Sequence, residues 1–336
     1  LPVVEFGLSL GGDLAGLGAQ ARAAEEAGFE SVWVAETARS AFVQAAVAGA
    51  NTQHVKVGTN IALAFPRSPT ITAMAARDLA ELTGGRFVLG LGTQVKRVNE
   101  QRFGIPFEHP APRIAEAVEV IREVLATFDG KPIDHRGRFY EITMTPFPGA
   151  GPVGPVPVYL AAVNALMAET AGRVADGLLG HPMNSPRWLR EVIRPAVERG
   201  ARAAGRDPSE VNISTGVILQ ISEDRDLARR EAATQLGFYA TTRTYAPLLA
   251  LHGFDHLVAP LREAFGRGDL SAMSETAMPM VDILAVAGSA EECCERIAAF
   301  EGAADRVILG GTWVGSTPER MAENHRAITQ TFAPAA

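Results

Sequence analysis

The sequence predicts an α/β protein: one (β/α)8 barrel over residues 1–336, with a helical insertion (224–280) between the seventh and eighth strands. Three observations lead there. Short β-rich apolar runs alternate with amphipathic helical segments, the pattern of βαβ units around a parallel sheet. Eight such runs can be read, nearly all followed by a helix, and eight is the number that closes a barrel. The lone Gly90-Leu91-Gly92 does not extend into a dinucleotide fingerprint, because its third glycine position is Val95 and it lies mid-chain after the fourth run. A doubly wound open sheet is the competing architecture, since the sixth run is short.

The elements follow in order. The first run is Val4 to Leu10, and a helix from Leu14 to Ala27 stops on Gly28. Ser31 to Ala35 precedes a helix around Phe42 to Ala50. Val55 to Ile61 then enters an unusual stretch. The chain stays apolar through Ala62, Leu63, Ala64 and Phe65, where a loop normally turns polar because its backbone faces water, and halts at Pro66-Arg67-Ser68-Pro69. The helix Ile71 to Leu82 ends on Gly84-Gly85, and the fourth run is Phe87 to Gly92. A long connection, Thr93 to Pro112, leads to the helix Arg113 to Phe128. Lys131 to Pro157 is rich in Gly and Pro and reads as an excursion or hairpin. The remaining strands are Val158 to Ala161, Leu178 to Gly180, Val211 to Ile221 and Asp305 to Leu309, and a closing helix starts at Pro318.

Composition narrows the function. The chain is 47% hydrophobic and 21% charged, ordinary for a globular protein with a sizeable core. Net charge is −7 with acids and bases interleaved and no basic stripe, so nucleic acid is not an expected partner. The only cysteines, Cys293 and Cys294, are adjacent in a helical pattern, where they neither bridge nor make a zinc site and serve as small packing residues. No apolar run reaches the length of a membrane span and no signal peptide opens the chain, so the expectation is a cytoplasmic protein without a membrane partner.

Barrel active sites lie at the C-terminal strand ends. Here those ends carry Glu36 and His181 as their only ionisable groups, among Asn60, Thr93, Asn164 and small apolar residues. Neither a nucleophile–base pair, nor paired carboxylates, nor a set of metal ligands converges there. An apolar mouth with amide and hydroxyl groups suits a flat organic cofactor that brings its own reactivity to a small-molecule substrate.

Several motifs in the right order carry a family resemblance: Trp33-Val34-Ala35-Glu36-Thr37, Gly58-Thr59-Asn60-Ile61, Gly85-Arg86 through Gly92-Thr93, Pro157 through Ala162, Ala175-Asp176-Gly177 and Val286-Ala287-Gly288-Ser289. Together they resemble the bacterial luciferase-like superfamily, a TIM-barrel group, and within it the branch that uses the deazaflavin coenzyme F420. The resemblance implies a bulge in the third strand with a cis peptide at Asn60-Ile61, backing the cofactor ring together with Ala62. It implies further cofactor contacts from Gly92, Thr93 and Gln94, and a phosphate-binding turn over Ala161, Ala162, Val163, Asn164 and Ala165. Phe65, His181, Tyr239 and Trp313 are candidates for the substrate pocket, and Phe65 is equally a core aromatic. Glu36 and Thr37 are the candidates for catalysis, though Glu36 could equally be a structural acid.

The departures from the family pattern matter. Many members place a histidine where this chain has Thr37. The sugar-phosphate dehydrogenases of the deazaflavin branch place a glutamate where Gln94 and Val95 stand, so their acid–base pair is missing. Luciferase-type relatives have an arginine where Thr93 falls. The expected function is therefore an F420-dependent oxidoreductase moving a hydride to or from a small organic substrate. An FMN-dependent monooxygenase and a non-catalytic F420 carrier are the alternatives. Relatives are commonly dimers, so a homodimer is a further expectation of the resemblance.

Overall fold

The structure is a computed structural model describing residues 4–147, 151 and 153–333. Pro148 to Ala150 and Pro152, within the expected excursion, lie outside the described residues.

Among the described residues there are twelve strands: β1 (Glu5–Leu10), β2 (Ser31–Val34), β3 (Lys56–Thr59), β4 (Ala62–Leu63), β5 (Phe87–Gly92), β6 (Ile133–Arg136), β7 (Glu141–Met144), β8 (Val158–Ala162), β9 (Gly177–Gly180), β10 (Asn212–Ile221), β11 (Val286–Gly288) and β12 (Arg306–Gly310). Eight of them pair side by side in the order β1-β2-β3-β5-β8-β9-β10-β12, and β12 returns to β1 to close a parallel barrel. The helices that follow them include α1 (Leu14–Glu26), α2 (Ala41–Ala50), α3 (Pro69–Leu82), α4 (Lys96–Arg102), α5 (Pro110–Thr127) and α6 (Ala165–Val174). Ser68 caps α3 and Pro69 opens it, so the Pro-Arg-Ser-Pro stop is a helix-start signal. The expected excursion contains the antiparallel hairpin β6–β7.

Two strands are additions to the pattern read from the sequence. β11 pairs with Leu219–Ile221, the end of a β10 that is ten residues long and outruns its barrel neighbours, leaving an edge to be covered. β4 resumes the third barrel strand after an interruption. Gly58 pairs with Val88 and Ala62 with Leu91, so four residues on one side span three on the other, which is a bulge.

Inside the barrel, Trp33, Val88, Tyr159, Leu179 and Ile308 form one buried cluster, with Ile61 and Ala161 packed on it. The indole of Trp33 is admitted because neighbouring strands carry glycine: a Cβ at Gly58 would lie 2.3 Å from the ring and one at Gly7 2.7 Å from its nitrogen. The N-terminal end is closed by Arg306, 3% exposed, which donates to Glu30 (2.8 and 3.0 Å), Glu5 (2.6 Å) and Ser214 (3.0 Å). With that end plugged by a fully engaged guanidinium, the opposite end is the one left for chemistry.

Candidate functional site

The third strand reaches the mouth through its bulge. The Asn60–Ile61 peptide bond is cis, as the resemblance implies. Asn60 N–H donates to the Val34 carbonyl (2.7 Å) and the Ile61 carbonyl accepts from Glu36 N–H (3.1 Å), so the bulge is stitched to the end of β2. Ile61 faces the barrel interior over Trp33 and Tyr159, whereas Ala62 is fully buried in the layer between strands and helices. Ala62 therefore packs away from the mouth. The same alternation separates Ala161, on the inner cluster, from Ala162, which packs outward.

Glu36 is engaged on both oxygens by the apolar loop. Its carboxylate accepts from Leu63 N–H (2.8 Å) and from Arg67 Nη1 (2.7 Å), with Arg67 Nη2 on the second oxygen. Arg67 lies over the Phe42 ring (5.1 Å). The oily loop is thus cross-braced to β2 by an ion pair whose carboxylate side chain is 8% exposed. Thr37, one residue on, is exposed.

After β5, Gly92 lies on the floor of the mouth: a Cβ there would stand 2.2 Å from Ile61 Cδ1 and 3.3 Å from Ala161 Cβ. Gln94 adopts a left-handed backbone (φ 56°), and its own side chain accepts from Val95 N–H (3.0 Å). Thr93 Oγ1 donates to the Gln94 carbonyl (3.1 Å). This loop is held from beneath by Asn99, which is fully buried and donates to the carbonyls of Thr93 (2.8 Å) and Val95 (3.1 Å). After β8, Val163 and Asn164 turn the chain into α6, which starts at Ala165, and the Asn164 side chain caps Met167 N–H (3.2 Å).

On the far side of the mouth the insertion closes in. The helix Arg225–Ala240 brings Tyr239 edge-on to His181 (ring centroids 4.4 Å), and Tyr245 stands 4.9 Å from the same imidazole. Trp313 Nε1 donates to Tyr239 Oη (3.4 Å), and Trp313 packs edge-on to Phe238 (5.1 Å). One turn before Tyr239, Gln235 accepts from the backbone N–H groups of Trp313 (3.0 Å) and Val314 (3.1 Å). A second latch joins Ser185 Oγ to His252 Nε2 (2.8 Å). Ser185 is 1% exposed and also accepts from Trp188 N–H, so this serine–histidine pair is a fastening between loop and insertion.

His181 and Trp313 are thus both brought against Tyr239. Phe65 packs elsewhere, against Phe107 (6.0 Å) and beneath the Arg113 guanidinium (4.5 Å). Sequence reasoning did not single out Arg67, Asn99 or Gln235. Gln235 carried a faint signal, four residues from Tyr239 and so on the same helix face. Among the described residues no group of three or more His, Cys, Asp or Glu side chains could hold a metal ion, and no helix is long and apolar enough to cross a membrane.

A closed parallel barrel with its helices outside and an apolar, glycine-floored mouth at the C-terminal strand ends defines a (β/α)8 barrel protein. The family model for luciferase-like monooxygenases matches residues 3–306, and the chain belongs to that family. It is 39% identical over 296 residues to the uncharacterised protein Rv1360 of Mycobacterium tuberculosis, covering 85% of this chain and 87% of that one. It is 30% identical over 313 residues to a 5,10-methylenetetrahydromethanopterin reductase of Methanolobus tindarius, covering 89% and 91%. Its fold superimposes on the coenzyme F420-dependent tetrahydromethanopterin reductase of Methanopyrus kandleri with a TM-score of 0.82 at 23% identity, covering 98% of each chain.

Proposed function

We propose that this chain is an oxidoreductase that binds the deazaflavin F420 and moves a hydride between it and a small organic substrate. The observation that carries this reading is the floor of the mouth. Ile61, Gly92 and Ala161 meet so closely that a methyl group at position 92 would already collide with Ile61 (2.2 Å), leaving a smooth apolar shelf. A planar tricyclic ring needs such a shelf, and any larger side chain at 92 would fill it. The reductase relative from Methanolobus tindarius, similar along most of its length, lends the same support.

The deazaflavin supplies the hydride chemistry when bound. Ile61, Gly92 and Ala161 would back its ring. The backbone of Thr93 and Gln94 and the N–H groups at the start of α6 would hold the polar tail, since the first N–H groups of a helix lack intrahelical partners and favour anions. The Glu36–Arg67 pair keeps the bulge in register, and Asn99 fixes the loop after β5. Phe238 and the tyrosines of the insertion would cover the substrate side and limit water there.

Fluorescence titration tests the reading. Purified protein is titrated with F420 and, separately, with FMN. Tight F420 binding without FMN binding is expected; FMN binding alone sinks the proposal and favours the monooxygenase reading. Oxidation of reduced F420 by a panel of enones, quinones and ketones then separates an enzyme from a carrier.

A further inference from the structure

The substrate side of the mouth holds an arrangement that the cofactor reading does not use. His181 Nδ1 accepts the Met183 N–H (3.0 Å), which leaves the imidazole proton on Nε2 as a donor. Tyr239 Oη accepts from Trp313 Nε1, and Gln235 lies against the same hydroxyl. Both lone pairs of Gln235 Oε1 are committed to backbone N–H groups, and its buried amide nitrogen has no hydrogen-bond partner among the described residues. With Trp313 Nε1 donating to it, the Tyr239 phenol keeps its own proton to give, and among the described residues no hydrogen bond takes that proton. Tyr245, 6.1 Å from Tyr239 between ring centroids, brings a second phenol to the same imidazole.

We propose that Tyr239, Tyr245 and His181 form an oxyanion-accepting pocket for the carbonyl or enol oxygen of the substrate. This deepens the reading above by naming a substrate class: ketones, aldehydes and conjugated enones, whose oxygen gains negative charge when hydride adds to the carbon skeleton. Preorganised neutral donors aimed at such an oxygen stabilise the charge where it develops. The protonation states agree with the geometry. Burial raises both phenols above the ordinary tyrosine value, Trp313 and Gln235 pulling Tyr239 partly back. Burial likewise pushes the His181 imidazole down to about 3, so all three groups are neutral donors at neutral pH. A carboxylate or ammonium substrate would find no charged partner in this cluster; an acceptor oxygen finds up to three donors.

The test uses the full chain without added cofactor and two probes, 4-nitrophenol and 4-nitroanisole. They share a ring and a nitro group, but only the phenol can present an oxyanion. The wild-type protein is expected to bind 4-nitrophenol as its phenolate, seen as a bound probe that ionises at lower pH than the free one. It should prefer the phenol over the anisole by about tenfold or more, the worth of charge-assisted hydrogen bonds. In Tyr239→Phe that preference should drop several-fold, and in Tyr239→Phe/Tyr245→Phe it should fall further, to what the His181 donor alone supplies, while far-UV circular dichroism stays unchanged. A bound phenol that remains protonated in the wild-type protein, or a preference undiminished in the double variant, overturns the proposal, as does failure of both probes to bind. The wild-type ionisation alone decides the matter if the double variant does not fold. Should the protein take FMN and not F420, the cofactor reading fails while the phenolate preference stands.

Discussion

Thr59 and Gly90 exchange two hydrogen bonds across the interrupted barrel strand: Thr59 Oγ1 accepts from Gly90 N–H (2.9 Å) and donates to the Gly90 carbonyl (2.8 Å). The bulge moves the third strand out of register with β5 at this point, and a side chain replaces the missing backbone partner. Replacement by Thr59→Val keeps the volume but leaves a buried donor and a buried acceptor unpaired, at a cost of about 2–4 kcal/mol. Thr59→Ser keeps both bonds and should lose only about 1 kcal/mol for the methyl group. Denaturant unfolding of the two variants separates them; equal losses would mean that the hydroxyl is not the repair.

Glu36 and Arg67 make the opposite kind of prediction from a catalytic acid. If the pair braces the bulge, Glu36→Gln and Arg67→Met should each lower stability. The double variant should show a coupling of about 1–2 kcal/mol, since contacting residues in one network are non-additive. Under the proposed function F420 affinity should fall in step, because the brace holds the segment that would back the ring. Unchanged stability with a lost single-turnover rate would instead make Glu36 a proton donor.

These pairs also mark what could be read in advance. The barrel was legible because local patterns encode it: alternating periods and strand-end glycines. The bulge and the cis bond were expected only from the family resemblance, since an apolar run where a polar loop belongs marks the place but fits an ordinary trans strand end as well. The grouping of His181 with Tyr239 and Trp313 was legible only as a list, since an insertion helix, the end of β9 and the end of β12 meet through tertiary packing. Glu36 and Arg67 lie thirty-one positions apart, and no periodicity links them. Asn99 and Gln235 are polar residues on helices, and burial alone distinguishes them from solvated ones. The side-chain alternation that turns Ala62 and Ala162 away from the mouth was present in the pattern, but a motif taken as a block hides it.

Gly92 offers a test that separates the fold from the site. In Gly92→Val the new Cβ falls 2.2 Å from Ile61 Cδ1, the far end of a flexible side chain that can move aside. Stability should drop by about 1–3 kcal/mol, as overpacking costs elsewhere. F420 binding should weaken at least about tenfold, because the valine stands where the ring would rest. Wild-type affinity in a folded Gly92→Val protein would move the ring off this floor.

His181 should write itself into the pH dependence of stability. Burial between two tyrosines holds its folded pKa near 3, against 6.5 when exposed. A depressed folded pKa means that the unfolded chain binds the proton first. The stabilising contribution is therefore complete above pH 6.5 and is lost as pH falls from 6.5 toward 3, with a slope approaching about 1.4 kcal/mol per pH unit. His181→Gln keeps a hydrogen-bonding side chain of similar length and removes the titration. Thermal unfolding followed from pH 7.5 down to pH 5 should show the wild-type advantage over His181→Gln shrinking, by about 1–2 kcal/mol across the range. A difference that stays constant with pH would mean that the imidazole takes up its proton in the folded protein, and one of the three neutral donors of the mouth would then carry a charge.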